Sequence, residues 1–152
     1  MSKVLGVDYG ERRTGIAISD AARAIAFPRE TLDCPRLEQA AAAVARFAAA
    51  EGVAEIVVGY PLNMNGSKGP RAERTDAFLA ELAARTVVPL RKWDERLSTR
   101  IAEAALLEAG TSRRKRRGAV DKLAAQVILQ GYLEATAGRP PGDESASPEE
   151  GP

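Results

Sequence analysis

The chain contains no histidine. That absence removes Ser-His and Cys-His nucleophilic catalysis together with every histidine-ligated zinc site. Cysteine is almost as scarce, and Cys34 alone cannot close an intrachain disulfide. No apolar run approaches the roughly 18 to 20 residues of a membrane-spanning helix, and the opening MSKVLGVDYG lacks the apolar stretch of a secretory signal. These features lead us to expect a soluble protein of the cytoplasm with no membrane partner. Any chemistry must come from carboxylates, lysine, hydroxyls or a bound ion.

With 152 residues the chain can bury one real core but is short for two. Its net charge of +1 is unevenly spread. The end of the chain, GRPPGDESASPEEGP, sets Arg139 against Asp143, Glu144, Glu149 and Glu150, which leaves residues 1–137 distinctly basic. Pro, Gly, Ser and Glu dominate residues 138–152, and nothing there repays the entropy of ordering. We therefore expect one domain over 1–137 and a disordered acidic tail over 138–152.

Residues 3–9, 14–19 and 23–31 read as three closely spaced strands of an antiparallel meander. Alanine-rich PRLEQAAAAVARFAAAE, from Pro35 to Glu51, has helical spacing, with Asp33 as a plausible cap and Gly52 as its stop. AEIVVGY (54–60) is the continuous apolar run of a strand buried on both faces, expected to be central and parallel to the first. A loop rich in Asn, Gly and Ser leads to a helix over 70–85. TVVPLRKWDE (86–95) gives a fifth strand, with Pro89 pointing to a sheet edge. A helix capped by Ser98 or Thr99 runs to Ala109, a basic linker TSRRKRRG follows, and a last helix over 119–136 carries Val120, Leu123, Ala124, Val127 and Ile128 on one stripe. This order is that of an α/β ribonuclease H-like fold, a mixed five-stranded sheet with helices on both faces.

In such sheets, sites form beyond the carboxyl ends of parallel strands. Asp8 follows strand one, Asp94 and Glu95 follow strand five, and Asp121 falls in the first turn of the last helix, beside its apolar stripe. Gathered carboxylates repel one another unless a cation sits among them, and Mg²⁺ or Mn²⁺ suits an all-oxygen donor set. Asp8, Glu95 and Asp121 are the candidate metal ligands and catalytic acids. A pair of such ions supports phosphodiester hydrolysis without histidine. Spacing alone equally allows a turn acid, a surface ion-pair member and a helix-dipole acid.

For the substrate, the loop NMNGSKG offers Asn63, Asn65, Ser67 and Lys68 to phosphate oxygens, with Arg71 and Arg74 in the helix behind and Arg96 beside Glu95. Arg113, Arg114, Lys115, Arg116 and Arg117 form a cationic run just before Asp121, suited to a nucleic-acid backbone. Trp93 could stack a base, although a tryptophan at a strand end more often belongs to the core.

Four segments carry a family resemblance: GVDYGERRTGIAIS (6–19), VVGYPLNMNGSKGPRA (57–72), WDERLSTRIAE (93–103) and VDKLAAQVILQGYL (120–133). In this order they resemble the YqgF family, also called RuvX, which comprises proposed nucleases of pre-16S ribosomal RNA and Holliday-junction-resolvase homologues. The resemblance implies catalytic acids at Asp8, Glu95 and Asp121, and a substrate that is an rRNA precursor or branched DNA. Many relatives have an acid where this chain has Asn65, so the loop is not counted as supplying a carboxylate. Symmetric junction cleavage would favour a twofold homodimer, and RNA trimming would permit a monomer. Two rivals stand beside this reading. One is a nucleotide-binding protein of the actin-like superfamily, suggested by the D-x-G turn DYGERRTG; the other is a nucleic-acid-binding or regulatory protein without catalysis.

Overall fold

The structure, a computed structural model, describes residues 2–94 and 113–137, the latter segment by its backbone alone as far as Asp121. Its elements run β1 (Val4–Asp8), β2 (Arg13–Ser19), β3 (Ala26–Asp33), α1 (Leu37–Glu51), β4 (Glu55–Tyr60), α2 (Pro70–Ala83), β5 (Leu90–Asp94) and α3 (Arg113–Ala135). The strands form one sheet in the order β3-β2-β1-β4-β5. The first three pair antiparallel, and β4 runs parallel to both β1 and β5. This is the α/β ribonuclease H-like sheet expected from the sequence, with β5 at an edge. The helix expected over 98–109 and the tail over 138–152 lie outside the described residues.

Side-chain alternation divides the sheet into two faces. Leu5 and Val7 of β1 with Ile56 and Val58 of β4 meet Ala40, Ala41 and Val44 of α1 and Phe78 and Leu82 of α2. Alternate residues Val4 and Val57, with Trp93, meet Ala125, Ile128, Leu129, Tyr132 and Leu133 of α3. Burying each of the larger side chains contributes about 1.5–3 kcal/mol, so both layers are needed for a stable sheet.

Several boundaries differ from the sequence reading. Strand β3 starts at Ala26 because residues 20–25 form a turn in which Asp20 Oδ1 accepts from the amides of Ala24 (2.8 Å) and Ile25 (3.1 Å). Those amides hold the Asp20 carboxyl below its usual range. Asp33 does not cap α1. It is the last residue of β3, paired with Arg13, and the cap position falls to Arg36 with no side-chain bond. Strand β5 begins only after Pro89, whose carbonyl accepts from Ile56 N–H at 2.9 Å. The cationic run Arg113–Arg117, expected as a linker, is helical backbone within α3; Arg and Lys are good helix formers.

The rotation of α3 also differs. Its buried stripe is Ala125, Ile128, Leu129, Tyr132 and Leu133, while Leu123, Ala124 and Val127 are only half-buried. Two glutamines set this rotation. Ala26 N–H donates to Gln130 Oε1 (2.9 Å), Gln126 Nε2 donates to the Ala26 carbonyl (3.0 Å), and Gln130 Nε2 donates to the Ala24 carbonyl (3.0 Å). With these amides turned toward β3, Leu129 faces β1 at Gly6. A Cβ at Gly6 would lie 2.7 Å from Leu129 Cβ and 3.1 Å from the Ala125 carbonyl, so the helix rests directly on the strand backbone.

One carboxylate is buried at the start of β4. Glu55 is 1% exposed. Arg23 Nη2 lies 3.1 Å from its Oε2, and Tyr132 O–H donates to its Oε1 at 2.6 Å. Burial, and then Glu55 itself, push the Tyr132 phenol far above its ordinary value.

Two outcomes are expected. Gly6→Ala should destabilise the fold by about 1–3 kcal/mol through overpacking, and the destabilisation should shrink in a Leu129→Ala background, measured by denaturant unfolding as a double-mutant cycle. Tyr132→Phe should cost about 1–3 kcal/mol at neutral pH by removing a donor from Glu55. Because the folded phenol titrates above the unfolded value of about 10, its contribution is complete below that pH and is lost as pH rises beyond it. Unfolding midpoints above pH ~10 should therefore fall less steeply in Tyr132→Phe than in the parent.

Candidate active site

The carboxyl ends of β1, β4 and β5 lie along one edge of the sheet, with Val7 beside Val58 and Tyr60 beside Asp94. Asp8 is the last residue of β1, half-buried and registered with Gly15 of β2. Alternation places it on the face of Val4 and Gly6, the face that α3 covers. Asp94 ends β5 on the opposite face from Trp93. Trp93 is buried and meets Tyr132 edge-on with ring centroids 6.3 Å apart, so it is a core residue.

The turn after Asp8 is fastened to α2. Arg74 Nε lies 3.0 Å from Glu11 Oε1, and the Tyr9 ring stacks on buried Phe78 at 4.5 Å. Burial raises the Tyr9 phenol above its usual range, so it stays neutral beside the carboxylates. Tyr9, Gly10, Glu11, Arg71, Arg74 and Thr75 enclose a cleft of ≈ 30 Å³. That admits a water or two. A wider groove of ≈ 650 Å³, lined by Ala45, Ala48, Val53, Val87 and Val88 among others, lies at the amino ends of β4 and β5, remote from this edge.

The loop over 61–69 is ordered by its own side chains. Asn63 Nδ2 donates to Ser67 Oγ (3.0 Å), Ser67 Oγ donates to Asn65 Oδ1 (2.6 Å), and the Ser67 amide donates to the same oxygen (3.0 Å). Asn65 thus acts here as the acceptor that shapes the turn. Gly69 and Pro70 then open α2, with Arg71 exposed. Beside the loop, Tyr60 O–H lies 2.9 Å from both oxygens of Asp76, and Lys68 and Lys92 approach the same carboxylate.

Of the residues expected from the sequence, Asp8, Asn63, Asn65, Ser67, Lys68, Arg71 and Arg74 share this edge. Glu95 and Arg96 lie outside the described residues. Asp121 and Arg113–Arg117 are described as α3 backbone only, position 121 falling one helical turn before Ala125. Among the described residues no three potential metal-ligating side chains come together. Tyr60, Asp76 and Lys92 were not anticipated. Alternation in β5 could have flagged Lys92, two residues before Asp94, but no local signal pairs Asp76 with a tyrosine in a strand sixteen residues earlier.

With this geometry established, comparison with other proteins is informative. Residues 2–135 match the model of the RuvX family, described as a Holliday junction resolvase. A protein of Symbiobacterium thermophilum named "Putative pre-16S rRNA nuclease" is 50% identical over 139 residues, 91% of this chain and 96% of the relative. One of the same name from Halothermothrix orenii is 46% identical over 131 residues, 86% and 94% of the two chains. Among solved structures, Thermus thermophilus RuvC in complex with a Holliday junction substrate superposes with a TM-score of 0.59 at 16% identity, over 91% of this chain and 97% of that one; such a likeness speaks for the fold. Matched over residues 2–135, the chain belongs to the RuvX family.

Proposed function

We propose that this protein is a divalent-metal-dependent nuclease that hydrolyses phosphodiester bonds in structured nucleic acid, with Asp8, Glu95 and Asp121 as its acids. The observation that carries this reading is Asp8 at the carboxyl end of β1, on the sheet face covered by α3, in a chain of the RuvX family. Asp8 offers a hard oxygen donor at a rigid strand end. Glu95 follows two positions after Trp93, which packs on that same face, and Asp121 belongs to the helix that covers it. A donor set of carboxylates without histidine or thiolate fits Mg²⁺ or Mn²⁺. When bound, such an ion supplies an activated water and stabilises charge on the phosphate oxygens.

The chain's own residues supply the frame. Tyr9, stacked on Phe78, and Arg74, paired with Glu11, fix the turn that follows Asp8. The 61–69 turn presents Lys68 and the start of α2 with Arg71, and Arg96 adds a cation next to Glu95. In helical register Arg113 and Arg117 are like charges one turn apart, a spacing that opposes helix formation; a phosphate backbone alongside would relieve it. The names of the relatives favour precursor rRNA as substrate, and the family's description as a Holliday junction resolvase keeps branched DNA as the second. Action in the cytoplasm, as a monomer or a twofold homodimer, accords with either.

The decisive assay compares cleavage of precursor rRNA, four-way junction DNA and linear controls in Mg²⁺, Mn²⁺ and EDTA. Cleavage that persists in EDTA would overturn metal dependence, and binding without cleavage in every condition would identify a non-catalytic binder. Asp8→Asn, Glu95→Gln and Asp121→Asn should each reduce metal-dependent cleavage to background. In EDTA, Asp8→Asn should melt at or above the parent temperature, since it loses charge repulsion and little volume; added metal should raise the parent's melting temperature and scarcely the variant's. Replacing Arg113, Arg114, Lys115, Arg116 and Arg117 with Gln should weaken nucleic-acid binding and flatten its salt dependence by about 0.9 in log–log slope for each phosphate no longer neutralised. An unchanged slope would remove the cationic run from the interface.

A further inference from the structure

The loop that follows β4 contains a closed turn with an apolar corner. Asn63 N–H donates to the Ser67 carbonyl at 2.9 Å, and Gly66 N–H donates back to the Asn63 carbonyl at 2.8 Å. The second bond closes a four-residue turn over 63–66, and Gly66 leaves it with φ 87°, a conformation that glycine adopts without strain. A left-handed exit residue of this kind is the mark of a three-residue hairpin loop. Side-chain bonds among Asn63, Asn65 and Ser67 brace the same turn. Asn63 also abuts the start of α2, where a Cβ at Gly69 would lie 3.0 Å from Asn63 Oδ1. Met64 stands at the corner of this frame, 86% exposed.

Stability does not account for a methionine there. Turn corners are ordinarily filled by Pro, Asn, Asp, Ser or Gly, and a side chain so exposed gains little from burial. A single apolar residue on a surface is ordinary by itself, but the place of this one is not. Among the described residues the other large exposed hydrophobics are Ile25 and Phe27, where β3 begins, and Val87, before β5, all away from the carboxyl ends of β1, β4 and β5. Met64 alone of these follows the carboxyl end of β4, on the edge where Asp8 ends β1. Its unbranched, polarizable thioether makes favourable contacts with aromatic faces, and every nucleic-acid base presents such a face. Methionine is also among the apolar side chains that wedge between base steps.

We propose that Met64 is an apolar wedge that packs against an unstacked base of the bound nucleic acid, at a break in the duplex such as a branch point. The wedge rests on the nuclease reading for the identity of its ligand and adds to it a contact with a base rather than with a phosphate. Unstacking costs least where pairing is already interrupted, so the wedge selects structured substrates over continuous duplex. The bracing of the turn serves this role, because a wedge that gave way would not hold a base out of its stack. Every base has a face to offer, so the contact tolerates any sequence; it sets the carboxyl edge of the sheet at the break and leaves the sequence unread.

The test uses the full chain in EDTA, so that binding is read without cleavage. A four-way DNA junction with 2-aminopurine at its branch point, and a continuous duplex of matching sequence, are titrated over a series of KCl concentrations. This base brightens when it unstacks, so the parent should raise its emission in the junction and not in the duplex. Met64→Ser should bind the junction about tenfold more weakly, the scale of burying part of a methionine side chain, and without the rise in emission. Its log K against log[salt] slope should equal the parent's, since an apolar contact releases no counterions. Met64→Leu should keep both affinity and emission. Val87→Ser, which removes an exposed apolar side chain from the other end of the sheet, should behave as the parent, and both serine variants should melt at the parent's temperature. Met64→Ser with the parent's affinity or emission overturns the wedge and leaves the nuclease reading intact. A parent that does not bind the junction also overturns it, while metal-dependent cleavage of precursor rRNA would still uphold that reading.

Discussion

The contact of α3 with the backbone of β1 at Gly6 is the constraint on which the site depends. With no side chain at Gly6, Leu129 and the Ala125 carbonyl come down onto the strand two residues before Asp8. Any β-carbon there would lift the helix, and with it the covering of the face that carries Asp8. Trp93 from β5 packs under the same helix against Gly131 and Tyr132, so one docking surface ties β1 and β5 to the helix whose earlier turn contains Asp121.

Carboxylates are treated differently at the two ends of the sheet. At the amino end of β4, Glu55 is sealed from water and stays acceptable because Arg23 and Tyr132 meet both of its oxygens. Removing Arg23 would take a countercharge from a buried carboxylate, costlier than losing an exposed pair. This network joins the 20–25 turn, the central strand and the C-terminal part of α3, and it has no place for substrate. At the carboxyl end, Asp8 and Asp94 are half-buried and Asp76 is open enough to share its charge between two lysines. The first arrangement locks the fold; the second leaves its charges open to solvent.

Between these ends, polar side chains fix geometry that apolar packing leaves free. The apolar residues of α3 are spread widely enough that Leu123, Ala124 and Val127 could have formed the buried stripe. Gln126 and Gln130 decide otherwise by bonding the backbone of Ala24 and Ala26, where the turn enters β3. The 61–69 loop shows the same principle on a small scale: Asn63, Asn65 and Ser67 bond one another, so the turn reaches α2 with Lys68 already placed.

Much of this was legible in the sequence, because the signals were local. Alternating and continuous apolar runs gave the five strands, and strand order gave the sheet with Asp8 at its carboxyl edge. The continuous run 54–60 marked β4 as central, and Pro89 marked β5 as an edge. What tertiary structure alone decided were the features that depend on distant partners. The face of α3 that is buried follows from bonds to residues 104 and 100 positions away, and the tolerance of a buried Glu55 follows from a tyrosine 77 positions on. The joining of Lys68 and Lys92 on Asp76 likewise needs β4, α2 and β5 already side by side. Periodicity states which residues share a face; it cannot state which face turns inward when polar groups on a neighbouring strand compete for the same rotation, and that competition is settled only when the sheet and helix have met.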